Sequence, residues 1–207
     1  MSFSSDIAFT PTVKQIQSRK GSRRAYANQE ASGSWATLIT PDIRKFIEAQ
    51  TSVFLGTANA QGQPYIQHRG GPAGFLRVID ATTLGFVDFT GNRQFISQGN
   101  LADNPQAFLF LIDYAHGNRV KIWGSAAVVE GDADLIGRLM PAGYRARPEQ
   151  VLLFTVAAWD MNCPQHIPRR IEATDVVAAL AARDARIAAL EAEVATLKGH
   201  DPSRTEI

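Results

Sequence analysis

Two basic stretches of the sequence contain the residue types needed to bind an anion such as a phosphate. The first, QHRGG at 67–71, places Arg69 beside two glycines, and the second, TGNRQ at 90–94, places Arg93 between two amide side chains. A phosphate monoester needs several donors that converge on it, and arginine offers two parallel N–H groups. Apolar residues after Arg93 predict that a helix begins there, and a helix N-terminus adds free backbone N–H groups. The sequence therefore predicts an anion site; the alternative is a helix cap whose arginine is a solvated surface charge.

The elements that must position these stretches are mainly strands. Apolar runs separated by turn signals predict six or seven strands, at 51–58, 65–71, 75–80, 83–89, 107–114, 119–132 and 149–162. Helix signals predict short helices that end at Gly21, begin after the cap Thr40, cover about 93–101, and begin near Asp132. Hairpin links and few helices favour an antiparallel β-barrel over a parallel sheet with helical crossovers.

The composition changes at both ends of this strand-rich region. We predict a polar N-terminal arm at 1–37, a barrel at 38–174, a helix at 175–198 and a flexible tail at 199–207. The helix has a heptad pattern, which predicts a short coiled coil with a twin helix. The alternative is a helix that folds back onto its own barrel. The heptad places Leu180, Ile187 and Val194 at position a and Val176, Arg183, Leu190 and Leu197 at position d.

Charge and cysteine content restrict the partners and the compartment. The chain has 207 residues with 21 Lys and Arg against 20 Asp and Glu, so no overall charge attracts nucleic acid or a membrane surface. The longest strongly apolar segment, 151–159, is too short to span a bilayer, and no signal peptide is visible. The single cysteine, Cys163, excludes an intrachain disulfide and suits a reducing compartment. We therefore expect a cytoplasmic protein.

Four stretches of the chain resemble a known family. QPYIQHRGG, LGFVDFTGNRQ, NLADNPQAFLFLID and RVKIWGSA occur in the order seen in the pyridoxamine 5'-phosphate oxidase-like, FMN-binding split barrels. The resemblance covers roughly residues 38–170. It implies an antiparallel split β-barrel with peripheral helices, FMN as the cofactor, and a homodimer that holds two FMN molecules in clefts between its subunits.

The resemblance also implies which residues contact the flavin. Gln67 replaces the arginine with which the family's first flavin-binding strand begins, and Asn92 and Gln94 replace a serine and a lysine beside Arg93. Arg119 corresponds to a glutamine that reaches across from the partner subunit. Separately, the loop that holds Gln165 and His166 either offers polar edges to the flavin ring or is a plain surface loop. The full set of expected cofactor contacts is Gln67, His68, Arg69, Gly70, Asp88, Phe89, Asn92, Arg93, Gln94, Arg119, Gln165 and His166.

These expectations combine into a redox function without an assigned catalytic residue. We predict a flavoprotein that passes electrons between FMN and an unidentified small-molecule substrate or electron donor, because the flavin itself supplies the redox chemistry. The alternatives are a non-catalytic flavin carrier or sensor, or the same barrel with a deazaflavin or haem. The stretch CPQH at 163–166 has the spacing of half a zinc site but lacks further ligands nearby in the sequence, so we predict no metal.

Overall fold

The computed structural model describes residues 2–162 and 165–199. Within these residues the chain forms seven strands, six α-helices and a 3-10 helix at Ser4–Ile7. The strands are β1 (Ser52–Ala58), β2 (Pro64–Gly70), β3 (Arg77–Val78), β4 (Thr83–Phe89), β5 (Gln106–Asp113), β6 (Asn118–Val129) and β7 (Pro148–Asn162). The helices are α1 (Pro11–Lys20), α2 (Arg23–Ala31), α3 (Pro41–Ala49), α4 (Ile96–Asp103), α5 (Ala133–Leu139) and α6 (Ala173–Gly199). All strands and the first five helices belong to one compact unit; α6 belongs to a second unit together with the turn residues 114–116.

The seven strands form one antiparallel sheet in the order β2-β1-β5-β6-β7-β4-β3. Alternate side chains of β1 and β5 are buried, as expected of strands with one face on a core. Leu55 and Leu109 are cross-strand partners, and both are fully buried in that core. The predicted antiparallel split β-barrel with a C-terminal helix is confirmed.

The opening of the split barrel lies between β2 and β4. β2 is the first and β4 the sixth strand in the order of the sheet, so no backbone ladder joins them. Side chains join them instead: Arg69 Nη1 of β2 lies 3.0 Å from Asp88 Oδ1 of β4. Helix α4 adds two further polar links, from Asn100 to Thr57 of β1 and from Ser97 to Gln67 of β2. The seam of the barrel is therefore held by buried and half-buried polar contacts.

Most predicted helix boundaries agree with the structure. Thr40 caps α3 by accepting a hydrogen bond from Ile43 N, Asp132 caps α5 in the same way, and α1 ends at Gly21, whose φ of 82° is left-handed. Helix α4 differs, because it begins at Ile96 and not at residue 93. Arg93 and Phe95 have φ values of 59° and 53°, and a right-handed helix cannot include residues in that conformation.

The N-terminal segment folds onto β6 and β7. Trp35 is buried and stacks on Trp123 of β6, with ring centroids 4.5 Å apart. Trp159 N of β7 donates to Ala36 O. Within the segment, burial opposes ionisation of Glu30, but hydrogen bonds from Arg23 and Lys14 outweigh it and lower the pKa of this carboxyl. The predicted division of the chain into arm, barrel, helix and tail stays a prediction.

Helix α6 begins and ends within two residues of the predicted helix. Its apolar heptad side chains are exposed, from 41% for Val176 to 67% for Leu197. No helix among the residues that the structure describes has the length and apolar character needed to cross a membrane.

Candidate functional site

A cleft of about 250 Å³ opens beside the seam of the barrel. Its walls come from β2, the end of β4, the start of β7, and the loop that leads into α4. Seven of the residues expected from the sequence line it: Gln67, Arg69, Asp88, Phe89, Asn92, Arg93 and Gln94. The two basic stretches therefore meet at one site, as the sequence predicts.

The strand wall of the cleft consists of Arg69, which is half-buried, and of Asp88 and Gln150, which are buried; the three side chains are linked by hydrogen bonds. Asp88 Oδ1 pairs with Arg69 Nη1 at 3.0 Å, and Asp88 Oδ2 accepts a hydrogen bond from Gln150 Nε2 at 3.1 Å. The Arg69 side chain is 18% exposed and that of Asp88 12%. Because Asp88 and Gln150 are also cross-strand partners in β4 and β7, the sheet itself fixes their relative position.

Two polar atoms of this wall have no partner among the residues that the structure describes. They are Arg69 Nε, a donor, and Gln150 Oε1, an acceptor, and both are buried. A buried polar atom without a hydrogen bond costs about 1–3 kcal/mol, so each atom favours a ligand that satisfies it. In a guanidinium group, Nε and Nη2 share one edge, and Nη1 lies on another. Asp88 pairs with Nη1, so the Nε atom is not engaged by Asp88.

The loop wall of the cleft, residues 91–95, holds its arginine differently. Arg93 Nε lies 3.3 Å from Glu149 Oε1, and the Arg93 guanidinium lies over the ring of Phe95, 5.5 Å from its centroid. The Arg93 side chain is 65% exposed. Left-handed backbone at Arg93 and Phe95 costs roughly 1 kcal/mol or more for each residue, and such strain is concentrated at ligand-binding loops.

A β-bulge places Glu149 opposite Arg93. In the ladder between β4 and β7, Asp88 pairs with Gln150 and Phe89 pairs with Pro148, so Glu149 has no partner in β4. A bulge re-aims the side chain of its extra residue. Here it directs the carboxylate of Glu149 into the cleft.

The first turn of α4 forms the third side of the cleft. Ser97 and Gln98 line the cleft, and no side chain caps the helix N-terminus. Ser97 Oγ donates to Gln67 Oε1 at 2.8 Å, which fixes Gln67 against the helix. Backbone N–H groups of an uncapped first turn are available to an anion. The N-terminus of α4 therefore lies beside the predicted anion site. Residues 92–94, at which the sequence predicts the start of this helix, lie in the loop before it.

The formal charge of the cleft is balanced. Arg69 and Arg93 contribute two positive charges, and Asp88 and Glu149 contribute two negative charges. An anion must therefore compete with the carboxylates or use donors that they leave free. A lining of this kind favours ligands that match its hydrogen-bonding groups over ligands of high charge.

The other five expected residues do not line this cleft. His68 is exposed on the opposite face of β2, with Nε2 2.7 Å from Ser52 Oγ. Gly70 is the last residue of β2, and a Cβ added there would lie 3.2 Å from Thr51 O. Arg119 pairs with residue 162 at the C-terminal end of β7, whereas Gln150 of the cleft lies near the N-terminal end of that strand. Gln165 and His166 are exposed turn residues. Their flavin contacts stay predictions.

Sequence reasoning missed Glu149, Gln150 and Ser97. Glu149 and Gln150 begin a long apolar run, and their position resembles an ordinary polar strand start. Only the pairing of β7 with β4 brings them to Asp88. Ser97 has a weak signal, since a small hydroxyl residue in the first turn of a helix often hydrogen-bonds locally.

The stretch CPQH, for which the sequence predicts no metal site, includes Cys163 and Pro164, which lie outside the described residues. Among residues 2–162 and 165–199, no three His, Cys, Asp or Glu residues are grouped closely enough to hold a metal ion.

Solved structures of similar fold come from several bacteria. HupZ from Group A Streptococcus is 19% identical, and the similarity covers 64% of this chain and 99% of that one, with a TM-score of 0.50. An FMN-binding protein from Syntrophomonas wolfei is 10% identical over 72% of this chain and 97% of that one, with a TM-score of 0.47. HutZ, the heme storage protein from Vibrio cholerae, is 17% identical over 60% and 93%, with a TM-score of 0.41. No curated protein sequence matches the chain.

The family assignment comes from the sequence match that covers the barrel. Residues 39–163, more than half of the chain, match the family model of pyridoxamine 5'-phosphate oxidase. This range contains every strand of the sheet and all the residues that line the cleft. The resemblance noted from the four sequence stretches is thereby confirmed, and the chain belongs to the pyridoxamine 5'-phosphate oxidase family.

Proposed function

We propose that this protein binds FMN non-covalently in the cleft and is a redox flavoprotein. The phosphate lies against the Nε edge of Arg69 and the N-terminus of α4. Membership of the family and the polar character of the cleft support this proposal. Bound FMN would supply the electron-transfer chemistry, and the residues of the chain bind and orient it.

The observation that carries the proposal is the pair of unpartnered buried atoms in the strand wall. Arg69 Nε needs an acceptor and Gln150 Oε1 needs a donor. A phosphate ester next to hydroxyl groups offers both, since phosphate oxygens accept and hydroxyls donate. The ribityl phosphate of FMN is a ligand of this kind. Sulfate, which carries no O–H group at neutral pH, would satisfy Arg69 but would not satisfy Gln150.

The size of the cleft is consistent with only part of FMN in it. At about 250 Å³ it is smaller than the roughly 300–1,000 Å³ of typical small-molecule sites. We propose that it holds the phosphate and the ribityl chain, and that the flavin ring extends towards a second subunit. In a homodimer, Arg119 of that subunit then contacts the ring, as the family resemblance implies.

The lining of the cleft favours a flavin over haem. A haem iron is held by a side chain such as histidine, cysteine, methionine or tyrosine. None of these residue types is among the described residues that line the cleft. A deazaflavin keeps the flavin shape, so the absorption spectrum of the bound cofactor distinguishes it from FMN.

Binding of FMN and riboflavin tests the proposal. We expect the wild-type protein to bind FMN more tightly than riboflavin, which lacks the phosphate. Arg69→Gln should weaken the binding of FMN and leave that of riboflavin nearly unchanged. Arg145→Gln is the matched control, because Arg145 is exposed and does not line the cleft. Equal affinities of the wild-type protein for FMN and riboflavin would contradict the phosphate assignment.

Reduction by a nicotinamide cofactor separates an enzyme from a carrier or sensor. We propose that NADH, NADPH or another small-molecule donor reduces the bound flavin. The rate of bleaching of the flavin absorption under anaerobic conditions measures this step. A flavin that is bound but not reduced by any such donor favours the carrier or sensor.

A further inference from the structure

We infer that α6 pairs in parallel and in register with α6 of a second copy of this chain. The pairing surface is the heptad face of α6, the stripe formed by positions a and d. The members of the stripe are Val176, Leu180, Arg183, Ile187, Leu190, Val194 and Leu197. Its six apolar side chains are between 41% and 67% exposed. This inference is independent of the cofactor.

The residue types of the heptad face favour two strands. Ile187 and Val194, which are β-branched, occupy position a, and Leu190 and Leu197 occupy position d. β-branched residues at a with leucine at d favour parallel dimers over trimers and tetramers. Helix α6 has 27 residues, which corresponds to a length of about 40 Å and nearly four heptads.

The charged residues of α6 identify the partner as a second α6. In a parallel two-stranded coiled coil, a residue at position g lies next to the residue five positions later, at position e, of the other helix. Arg186 at g then meets Glu191, and Glu193 at g meets Lys198. Both contacts join opposite charges, and each contact occurs twice because the pair has twofold symmetry.

The same charges form no favourable pair within an isolated helix. Within one helix, side chains interact at spacings of three or four residues. From residue 173 to residue 199, no two opposite charges have either spacing, whereas Arg183 and Arg186 are like charges three residues apart. Pairs separated by five residues do not face each other on one helix. Charge complementarity therefore exists between copies of α6 and not inside one.

Arg183 is the polar member of the seam. At position d it lies opposite Arg183 of the other helix, and Asp184 at position e of that helix supplies the counter-charge. The pair therefore has an acceptor for each Arg183 guanidinium when the helices are parallel and in register. A polar residue in the seam lowers stability but specifies the register, since a shift of one heptad would bury Arg183 against an apolar layer.

Disulfide cross-linking of the full-length chain tests the orientation. Cys163 is the only cysteine, so Cys163→Ser gives a cysteine-free background. Leu190→Cys and Leu197→Cys place single thiols at position d, and Ala192→Cys places one on the opposite face of the helix. We expect covalent dimers from both d variants on mild oxidation, and few from Ala192→Cys. In an antiparallel pair, at most one position lies next to the same position of the other helix. Cross-linking at only one of the two d positions would therefore overturn the inference. Cross-linking of Ala192→Cys as efficient as that of the d variants would overturn it as well.

Charge reversal tests the specific contacts. In the Cys163→Ser, Leu197→Cys background, Glu191→Lys should lower the rate of cross-linking by about threefold or more, because two symmetry-related contacts become repulsive. Adding Arg186→Glu exchanges the charges and should restore the original rate. Arg186→Glu alone is the control, because it relieves the repulsion between Arg183 and Arg186 within one helix but places a carboxylate next to Glu191 of the other, so it should itself lower the rate. A double variant as slow as Glu191→Lys alone would refute the pairing.

Discussion

The two walls of the cleft hold their arginines by opposite means. Arg69 lies on a strand, is 18% exposed, and is fixed by Asp88, which Gln150 holds in turn. Arg93 lies on a strained loop, is 65% exposed, and pairs with Glu149 at 3.3 Å. Buried charges are strongly coupled to their partners, whereas exposed pairs contribute little. In the proposed FMN site, Arg69 would therefore be the rigid donor and Arg93 the adaptable one.

Asp88→Asn should have the largest effect on stability. It leaves the half-buried Arg69 guanidinium without its counter-charge and weakens the link between β2 and β4, since the asparagine oxygen can accept only a neutral hydrogen bond, so we expect a loss of about 3 kcal/mol in the free energy of unfolding. It also removes the carboxylate with which an anion must compete. Urea denaturation with and without phosphate should therefore show a less stable protein that phosphate stabilises more than it stabilises wild type. An unchanged unfolding curve would show that the strand wall does not support the barrel.

Arg69→Ala should have the largest effect on binding. We expect it to weaken the binding of FMN by about 1.5–3 kcal/mol, the range for hydrogen bonds to a charged group. Arg69→Lys should recover little of this loss, because an ammonium group cannot donate two parallel hydrogen bonds. Fluorescence titration with FMN measures both variants, and riboflavin is the control ligand. Full recovery by lysine would mean that only the charge of Arg69 matters.

Arg93→Ala should weaken FMN binding by less than about 1 kcal/mol, because its guanidinium is largely solvated. The loss should shrink as salt is raised from 10 mM towards 0.5 M, since exposed charges are screened and buried ones much less so. The same titration at two salt concentrations checks this. A loss as large as that of Arg69→Ala would show that the loop closes on the ligand and buries Arg93.

Glu149→Gln should have the smallest effect. It removes the carboxylate that pairs with Arg93, and we expect FMN to bind more tightly by a few tenths of a kcal/mol. Its matched comparison is Asp88→Asn, which removes the corresponding carboxylate from the strand wall at a much larger cost in stability. Weaker binding in Glu149→Gln would mean that Glu149 holds Arg93 in its binding position.

The sequence predicts the fold better than the arrangement of the site. Strands of alternating burial such as β1, and capped helices such as α3, follow from local patterns, and their predictions are confirmed. The convergence of Arg69 and Arg93 also follows, because the family resemblance places both stretches at one site. The partners of these arginines do not follow. Glu149 reaches Arg93 through a bulge, and Gln150 reaches Asp88 through strand pairing across sixty-two residues of sequence.

The start of α4 shows the limit of local reasoning most directly. Phe95 and Ile96 have the spacing of an apolar helix face with Leu101, and this pattern predicts a helix from residue 93. In the structure Phe95 is left-handed, 43% exposed and in contact with the Arg93 guanidinium. The helix preference therefore yields to a turn, in which Asn92 Oδ1 accepts a hydrogen bond from Gln94 N. The residue types of Arg93 and Phe95 do not predict their left-handed backbone.

The left-handed backbone at Arg93 and Phe95 has a consequence for how this loop can change in evolution or design. Glycine adopts that conformation without steric cost, so a glycine at either position would relieve roughly 1 kcal/mol or more of strain. Against a typical stability of about 5–15 kcal/mol, this is a noticeable fraction. Selection for thermal stability alone would favour glycine at these positions, whereas selection for a guanidinium and an aromatic ring at the mouth of the cleft opposes it. Variants selected only for stability should therefore tend to replace Arg93 and Phe95 with glycine, and would lose the contacts proposed here for the ligand.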